Sequence, residues 1–290
     1  MLPHPFQHHR PTRLEEALEI LSRLGEEATP YAGGTELLLA MKARVLRYEH
    51  LVDIKRIGEM RGIRTTEGEI VIGALSTHLT LATDGTIRKL LPTYAALSNN
   101  VANIRVRAQG TLGGNLCFAE PHADPPTLLC ALDASLMLAG PEGERRVAMC
   151  DFIEGEFTTV RGAAEILRDI RIPLPMKGAR FSYHSFGHLE RPAVSVAVGY
   201  VPEGGAARYR IFAGALTSRP TALEALAGHL AGVAPHDLME ALASHAEGAV
   251  ADLETDDDLL GSADYKRHLA RVMLERACAE IAAAEAGAAA

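Results

Sequence analysis

A chain of 290 residues, 48% apolar and 23% charged, can bury the core of one large or two moderate globular domains. Its formal net charge of −8 argues against nucleic acid as a partner, because phosphate binding needs clustered Lys and Arg. The most apolar stretch, 128–138, is too short to span a bilayer, and the first residues do not resemble a secretory signal. We therefore expect a cytoplasmic protein with no integral membrane segment.

The predicted elements of the first half of the chain alternate short strands with helices. Residues 14–24 repeat apolar side chains at helical spacing, and Thr12 with Glu15 forms the pattern of an N-terminal capping box. Residues 76–77 are typical of those that cap the start of a helix. In chain order we then predict a strand over 29–32, a helix over 36–45, strands over 51–54 and 69–72, helices from 78, over 94–103 and from 127, and a strand over 134–139.

In the second half, Pro173-Leu174-Pro175 is a rigid segment that marks the main domain boundary. Alternating apolar residues after it predict an antiparallel sheet, followed by helices. The strands are predicted over 181–184, 193–201 and 208–216, the hairpin turn over 204–207, and the helices over 221–231 and 265–284. The mixed order predicts an α+β fold with domains 1–176, divided into subdomains of about 1–57 and 58–176, and 177–290.

The cysteines and acidic residues give no metal motif. The four cysteines, Cys117, Cys130, Cys150 and Cys278, form no C-x-x-C pair and match no zinc or ferredoxin spacing. His122 and Asp124 lack a third ligand nearby. We therefore predict no metal site and no iron–sulfur cluster in this chain.

Two short glycine segments, Ala32-Gly33-Gly34-Thr35 and Leu112-Gly113-Gly114-Asn115, echo each other in chemistry. A glycine pair lets backbone N–H groups approach a bulky anion and permits a positive φ. The helix predicted after the first segment would add its N-terminal amides. Two matching segments indicate a ligand with two linked phosphates, as in a dinucleotide cofactor.

Common nucleotide-binding and catalytic motifs are missing from the sequence. Neither G-x-G-x-x-G nor the G-K-[ST] of a Walker A loop occurs, so the predicted site belongs to another architecture. There is no G-x-S-x-G elbow, and no catalytic triad can be assembled. We therefore predict no catalytic side chain and expect the chemistry to be that of a bound cofactor.

Three segments, 31–38, 110–116 and 119–125, resemble the FAD-binding medium subunits of the molybdenum hydroxylases. That family includes the xanthine dehydrogenases and aerobic carbon monoxide dehydrogenase. The segments 165–173 and 261–267 support the resemblance, which covers nearly the whole chain in order. It implies that 1–176 is a two-part FAD-binding domain of the vanillyl-alcohol oxidase/PCMH-like type. The smaller domain, 177–290, would be the antiparallel sheet with helices that completes a carbon monoxide dehydrogenase-like flavoprotein.

The resemblance also implies which residues bind FAD. The two glycine segments would hold the pyrophosphate, Asp124 would lie near the sugar or adenine, and Leu167, or Ile166 after a one-residue slip, near the adenine. Cys117, Phe118 and Ala119 would lie close to the isoalloxazine. The predicted cofactor residues are Ala32, Gly33, Gly34, Thr35, Glu36, Thr111, Gly113, Gly114, Asn115, Cys117, Phe118, Ala119, Asp124 and Leu167.

By the same resemblance, the chain would be an electron-transfer subunit of an oxidoreductase complex. It would take electrons from a small [2Fe-2S] subunit and pass them to NAD⁺, a quinone or oxygen. A large molybdopterin subunit would act on the substrate, and the complex would be a dimer of heterotrimers. In this interpretation, FAD is the cofactor of this chain, and the iron–sulfur clusters and molybdopterin belong to its partners.

Two other functions remain open at this point. The chain could be a scaffold subunit with a degenerate flavin site, which would stay colourless when incubated with FAD. It could also be a free-standing flavin oxidase, which would need an acid or base over the flavin. Turnover of an alcohol or amine by the isolated chain would favour the oxidase.

Overall fold

The computed structural model of the protein describes residues 4–188, 191–204 and 206–286. We call the part up to Pro173 the N-terminal lobe and the part from Arg180 onward the C-terminal lobe. The strands are β1 (Gln7–His9), β2 (Ala28–Tyr31), β3 (His50–Asp53), β4 (Ile63–Thr66), β5 (Glu69–Gly73), β6 (Ser135–Gly140), β7 (Gly143–Ala148), β8 (Ile153–Gly155), β9 (Thr158–Thr159), β10 (Ile166–Pro173), β11 (Arg180–His188), β12 (Arg191–Glu203), β13 (Ala206–Gly214) and β14 (Thr221–Ala222).

Most of the α-helices are short, and they separate the strands in both lobes. The α-helices are α1 (Leu14–Leu24), α2 (Leu37–Lys42), α3 (His78–Thr83), α4 (Gly85–Leu90), α5 (Pro92–Asn100), α6 (Ile104–Gln109), α7 (Leu112–Phe118), α8 (Asp124–Ala131), α9 (Met149–Phe152), α10 (Glu224–His229), α11 (Leu238–Ala243), α12 (Ala246–Ala251) and α13 (Ala263–Ala286). Short 3₁₀ turns cover Gly25–Glu27, Ile54–Arg56, Gly58–Met60 and Pro235–Asp237. Within the described residues, no helix is both long enough and apolar enough to cross a membrane.

The chain begins with a small parallel sheet in the order β1-β3-β2. Helix α1 packs against β2 and β3 through Leu14, Ala17 and Leu21, which are all buried. This apolar stripe is the one that the helical spacing predicts. Strand β2 pairs in parallel with β3. The first glycine segment follows directly at the carboxyl end of β2.

The predicted capping box at the start of α1 is wrong. Arg13 occupies the N-cap position, so Thr12 lies one residue too early for its hydroxyl to cap the helix. The N–H of Thr12 donates to Glu16 Oε2 at 3.0 Å, and the N–H of Leu14 donates to Glu59 Oε1 at 3.3 Å. The cap is therefore supplied by a side chain distant in sequence, which local spacing does not reveal.

A five-stranded sheet in the order β4-β5-β10-β6-β7 forms the centre of the N-terminal lobe. All of its neighbouring strands are antiparallel, and the central β10 buries Ile166, Leu167, Ile170 and Ile172. Helices α3 to α8 lie between β5 and β6 in sequence, and α7 packs on β10. This packing holds the second glycine segment against the sheet.

The C-terminal lobe is an antiparallel sheet in the order β11-β12-β13-β14, packed against α13 and shorter helices. Its own apolar core includes Val196, Val198, Leu274 and Ala277. The predicted strands and hairpin correspond to β11, β12 and β13, although Gly205 within the predicted turn lies outside the described residues. The predicted α+β class is confirmed.

Two predicted helices are longer than the observed ones. The helix predicted over 36–45 ends at Lys42, where the chain turns and Arg44 adopts a left-handed φ of 63°. The helix predicted over 221–231 begins only at Glu224, because Thr221 and Ala222 pair with β13 as the edge strand β14. Tertiary pairing overrides local helix propensity here.

Candidate cofactor site

The two glycine segments line one cavity of about 690 Å³, which is formed mainly by the N-terminal lobe. All of the predicted cofactor residues except Ala119 line it: Ala32, Gly33, Gly34, Thr35, Glu36, Thr111, Gly113, Gly114, Asn115, Cys117, Phe118, Asp124 and Leu167. Ala119 is buried behind the wall, in a left-handed conformation at the end of α7, where its carbonyl accepts the N–H of Phe157 at 3.0 Å.

Extended by their neighbouring residues, the first glycine segment covers 32–36 and the second covers 110–115, and the two lie directly against each other. A Cβ on Gly33 would overlap the carbonyl oxygen of Gln109 and would stand 2.9 Å from the Cα of Gly110. Gly34 adopts a φ of 71°, in the left-handed region that favours glycine. Glycine at these two positions thus lets the two segments meet at the cavity.

Four consecutive backbone amides of the first glycine segment are unpaired. In the part of the chain that the structure describes, no group accepts from the N–H groups of Gly33, Gly34, Thr35 or Glu36. The first bond beyond them runs from the N–H of Leu38 to the carbonyl of Gly34, at 3.2 Å. A run of free amides around a left-handed residue forms a concave donor surface that suits an anion.

The second glycine segment does not form a second anion-binding turn of this kind, because most of it belongs to helix α7. Gly113 and Gly114 lie in the first turn of α7, with Thr111 at the N-cap. The N–H of Gly113 donates to the Ala74 carbonyl at 2.9 Å, and that of Gly114 donates to Thr111 Oγ1 at 3.1 Å. These amides are already used within the protein, so the two segments are not equivalent anion sites.

Two buried polar atoms in the cavity wall have no partner among the described residues. They are Oδ1 of Asn115 and Nδ1 of His78. An unpaired buried polar atom is costly, and such atoms in native structures call for a ligand or ordered water. Burial and the charge of Arg107 together lower the pKa of His78 to about 4, so this ring is neutral at neutral pH. The wall therefore offers hydrogen-bonding sites for a polar ligand.

A cluster of charged side chains lies at the cavity rim. Arg191, from the start of β12, reaches Glu36 at 3.8 Å and Glu120 at 3.3 Å. His122 Nδ1 lies 3.2 Å from Glu120 Oε1. Burial raises the pKa of Glu36, while the charge of Arg191 opposes this. All four residues line the cavity.

Apolar side chains cover another part of the wall. The rings of Phe118 and Phe157 meet edge to face, with centroids 5.3 Å apart. Ile166 and Leu167 are both buried and both line the cavity, so the one-residue slip between them stays undecided. Burial raises the pKa of Cys117, and the charge of Arg161 lowers it. This part of the wall is therefore apolar, while the rest of the cavity carries polar and charged groups, as pockets for large cofactors do.

Asp124 connects the site to the C-terminal lobe. It is the first residue of α8, and its Oδ1 accepts the hydroxyl of Tyr183 in β11 at 2.6 Å. Burial raises the pKa of Asp124, and the hydrogen bond from Tyr183 lowers it. The acidic residue was predicted from the sequence, but its tyrosine partner was not.

Several lining residues escaped the sequence analysis. His78 and Arg191 stand far from both glycine segments in sequence, and only the tertiary fold brings them to the cavity. Glu120 and His122 lie within the third resembling segment, 119–125, which was the available signal. The described residues contain no group of three or more His, Cys, Asp or Glu side chains placed to hold a metal ion.

The residues present fit FAD: free amides for a diphosphate, unpaired polar atoms for a hydrogen-bonding head, and an apolar wall for a ring. The model of the FAD binding domain in molybdopterin dehydrogenases matches residues 4–175. The chain belongs to this family, the FAD-binding medium subunits of molybdopterin dehydrogenases. It is therefore an FAD-binding subunit of the oxidoreductase complexes that include carbon monoxide and xanthine dehydrogenases.

Individual relatives are similar in sequence to this chain along almost their whole length. The carbon monoxide dehydrogenase medium chain of Hydrogenophaga pseudoflava is 34% identical over 278 residues, which are 96% of this chain and 97% of that one. The xanthine dehydrogenase FAD-binding subunit of Escherichia coli O157:H7 is 28% identical over 286 residues, 97% of each chain.

Solved structures show the same architecture. The crystal structure of the cyanide-inactivated Cu,Mo-CO dehydrogenase matches with a TM-score of 0.91 and 34% identity, covering 98% of this chain and 99% of that one. Quinoline 2-oxidoreductase from Pseudomonas putida 86 matches with a TM-score of 0.88 and 29% identity, with the same coverage. The predicted family and fold are thereby confirmed.

Proposed function

We propose that this chain is the electron-transfer subunit of a molybdenum hydroxylase complex, receiving electrons from a [2Fe-2S] subunit and delivering them to an external acceptor. The observation that carries the proposal is the run of four unpaired amides from Gly33 to Glu36, beside the unpaired Oδ1 of Asn115. A site built only for packing would have paired these groups internally.

Each part of the cavity has a role in this proposal. The amides of the first glycine segment would hold the diphosphate of FAD, and Asn115 Oδ1 would accept a hydrogen bond from a hydroxyl or N–H group elsewhere on the cofactor. Phe118 and the Cys117 side chain would cover the ring and exclude water. When bound, FAD supplies the exchange between one-electron and two-electron transfer. We propose that no side chain of this chain is catalytic.

The same proposal assigns partners and boundaries. We propose a small [2Fe-2S] subunit and a large molybdopterin subunit as partners, assembled as a dimer of heterotrimers in the cytoplasm. NAD⁺, a quinone or oxygen would be the acceptor. The name medium chain, given to the Hydrogenophaga relative, supports a multi-subunit complex. We place the FAD-binding domain at 1–176, with subdomains of about 1–57 and 58–176, and the second domain at 177–290.

The experiment is FAD reconstitution of the purified full chain. We expect a flavin absorption spectrum with about one FAD for each chain, and iron–sulfur signals only when the partners are present. Asn115→Leu should weaken FAD binding about tenfold, the size of one lost hydrogen bond in a buried site. Asn99→Leu is the matched control, since Asn99 is exposed on α5 and does not line the cavity.

Two results would contradict the proposal. A chain that stays colourless after incubation with FAD would favour the scaffold with a degenerate site. Turnover of an alcohol or amine by the isolated chain would favour the free-standing flavin oxidase. Equal FAD affinity of Asn115→Leu and the parent chain would remove Asn115 from the site.

A further inference from the structure

The hydrogen bond between Tyr183 and Asp124 links the two lobes at the edge of the cofactor cavity. Asp124 begins α8 in the N-terminal lobe, and Tyr183 lies in β11 of the C-terminal lobe, 59 positions later. The hydroxyl and the carboxylate oxygen are 2.6 Å apart, which is typical of a short, charge-assisted hydrogen bond.

This pair also separates two cavities. A second cavity of about 790 Å³ lies between α5, β11 and the end of α13. Asp124 lines both cavities, whereas Tyr183 lines only the second one. The tyrosine therefore approaches Asp124 from the side away from the glycine segments. It can orient the carboxylate without occupying the cofactor cavity.

Strand β11 is held firmly where it delivers Tyr183. Thr93 Oγ1 of α5 donates to the carbonyl of Phe181 at 2.6 Å, and Arg180 Nη1 donates to the carbonyl of Ile281 in α13 at 3.0 Å. On the neighbouring strand, the hydroxyls of Ser195 and Thr127 lie 3.2 Å apart and join β12 to α8. These bonds fix the distance between β11 and the start of α8.

The bond also affects the charge of Asp124. Burial raises the pKa of this carboxyl group, and the donated hydrogen bonds from Tyr183 and Ser185 lower it, while the charge of Glu120 raises it. Arg191 of β12 lines the same two cavities. Removing the Tyr183 hydroxyl would remove a hydrogen bond that lowers the pKa of Asp124, so burial and the charge of Glu120 would raise that pKa further. Asp124 would then take up a proton at a higher pH than in the parent chain.

We propose that Tyr183 is a positioning residue of the FAD site: the C-terminal lobe uses it to hold Asp124 as an oriented, ionised acceptor for a hydroxyl of the bound cofactor. This inference rests on the proposed FAD function. It gives the C-terminal lobe a direct part in cofactor binding, although none of the residues predicted for the cofactor belongs to that lobe.

The test is FAD affinity of the full chain as a function of pH. Tyr183→Phe should weaken FAD binding about tenfold at neutral pH, because the carboxylate loses the donor that orients it. The loss should grow as the pH falls, because Asp124 takes up a proton at a higher pH in the variant than in the parent. Tyr200→Phe is the matched control: Tyr200 stands on the same sheet beside Tyr209 and lines neither cavity.

A second variant, Asp124→Asn, keeps the test decisive if Tyr183→Phe folds poorly, because it leaves Tyr183 in place: measured alone, it should weaken FAD binding about tenfold at neutral pH. Asp124→Asn changes the acceptor of the same hydrogen bond, in the N-terminal lobe, and the new amide side chain does not titrate. In that background, Tyr183→Phe should cause no further tenfold loss and no pH dependence. Independent, additive losses would overturn the inference.

The outcomes separate the inference from the proposed function. If the parent chain binds FAD and Tyr183→Phe binds it with the same affinity and pH profile, the inference fails and the proposed function stands. A change in thermal stability alone, with unchanged FAD affinity, would likewise show a structural role only. If the parent chain binds no FAD at any pH, both are wrong.

Discussion

The two glycine segments share a sequence pattern but perform different physical tasks. In the first, the amides of Gly33 to Glu36 have no partner among the described residues, and these four residues line the cavity. In the second, the amides of Gly113 and Gly114 are paired within the protein, and a Cβ on Gly113 would stand 2.6 Å from the Cβ of Ala74. A glycine pair can therefore mark a binding turn or a close packing contact, and the hydrogen bonds of its amides decide between them.

The largest expected effect on FAD affinity comes from Gly33→Ala. The new methyl group would overlap the backbone of Gln109 and Gly110, which cannot move aside as a side chain could. The first glycine segment must then shift, and its four amides lose their common orientation. We expect FAD affinity to fall by at least about 100-fold, equivalent to about 2.7 kcal/mol, measured by flavin fluorescence titration.

Gly113→Ala is the contrasting control. Its methyl group would press on the Ala74 side chain and carbonyl, the latter at 2.9 Å, which should cost about 1–3 kcal/mol of unfolding free energy. The folded fraction should retain FAD affinity within about fivefold of the parent. Adding Ala74→Gly should restore part of the stability, because it removes the closest contact. A loss of affinity equal to that of Gly33→Ala would break the distinction between the two segments.

Much of the fold and most of the cavity wall follow from the sequence, for identifiable reasons. Strands such as β12 and helices such as α1 are amphipathic or apolar at their own period, so a local pattern is sufficient to predict them. The glycine segments and Asp124 lie in motifs that the family shares. These features are encoded within short stretches of chain.

The features that sequence reasoning missed depend on distant residues. The Glu59 carboxylate caps α1 from 45 positions away, and Tyr183 reaches Asp124 from 59 positions away. The inequality of the glycine segments depends partly on the Ala74 carbonyl, which accepts the N–H of Gly113 from a distant part of the chain, whereas the Thr111 hydroxyl that accepts the N–H of Gly114 is local. No local spacing encodes the distant partners, which come together only when the chain folds.

A further prediction concerns His78. Its backbone N–H donates to the Gly110 carbonyl at 3.1 Å and so supports the second glycine segment. Burial, with the charge of Arg107, lowers the pKa of His78 from 6.5 to about 4. Between these values the unfolded chain binds a proton that the folded chain does not. The unfolding free energy should therefore fall as the pH falls through this window, by about 3 kcal/mol at its acid end, and should be independent of His78 above it.

The measurement is a set of denaturant titrations from about pH 7 to about pH 4. His78→Leu should flatten the acid-side slope relative to the parent, while His236→Leu, at an exposed position, should leave it unchanged. Equal slopes for His78→Leu and the parent would mean that the ring is charged or hydrated in the folded protein.

The smallest effect is expected for Gly114→Ala, which tests how much of the second segment needs glycine at all. A Cβ there would meet only Thr111 Oγ1, at 2.9 Å, and this hydroxyl caps the helix by accepting the N–H of Gly114. Losing that cap would cost about 1 kcal/mol, but replacing a glycine within a helix by alanine gains up to about 1 kcal/mol. Because the two terms oppose each other, we expect the unfolding free energy to change by less than about 0.5 kcal/mol and FAD affinity to change less than about threefold. A large loss of affinity with stability intact would show that the bound cofactor lies against Gly114, so that the second glycine segment also contacts it directly.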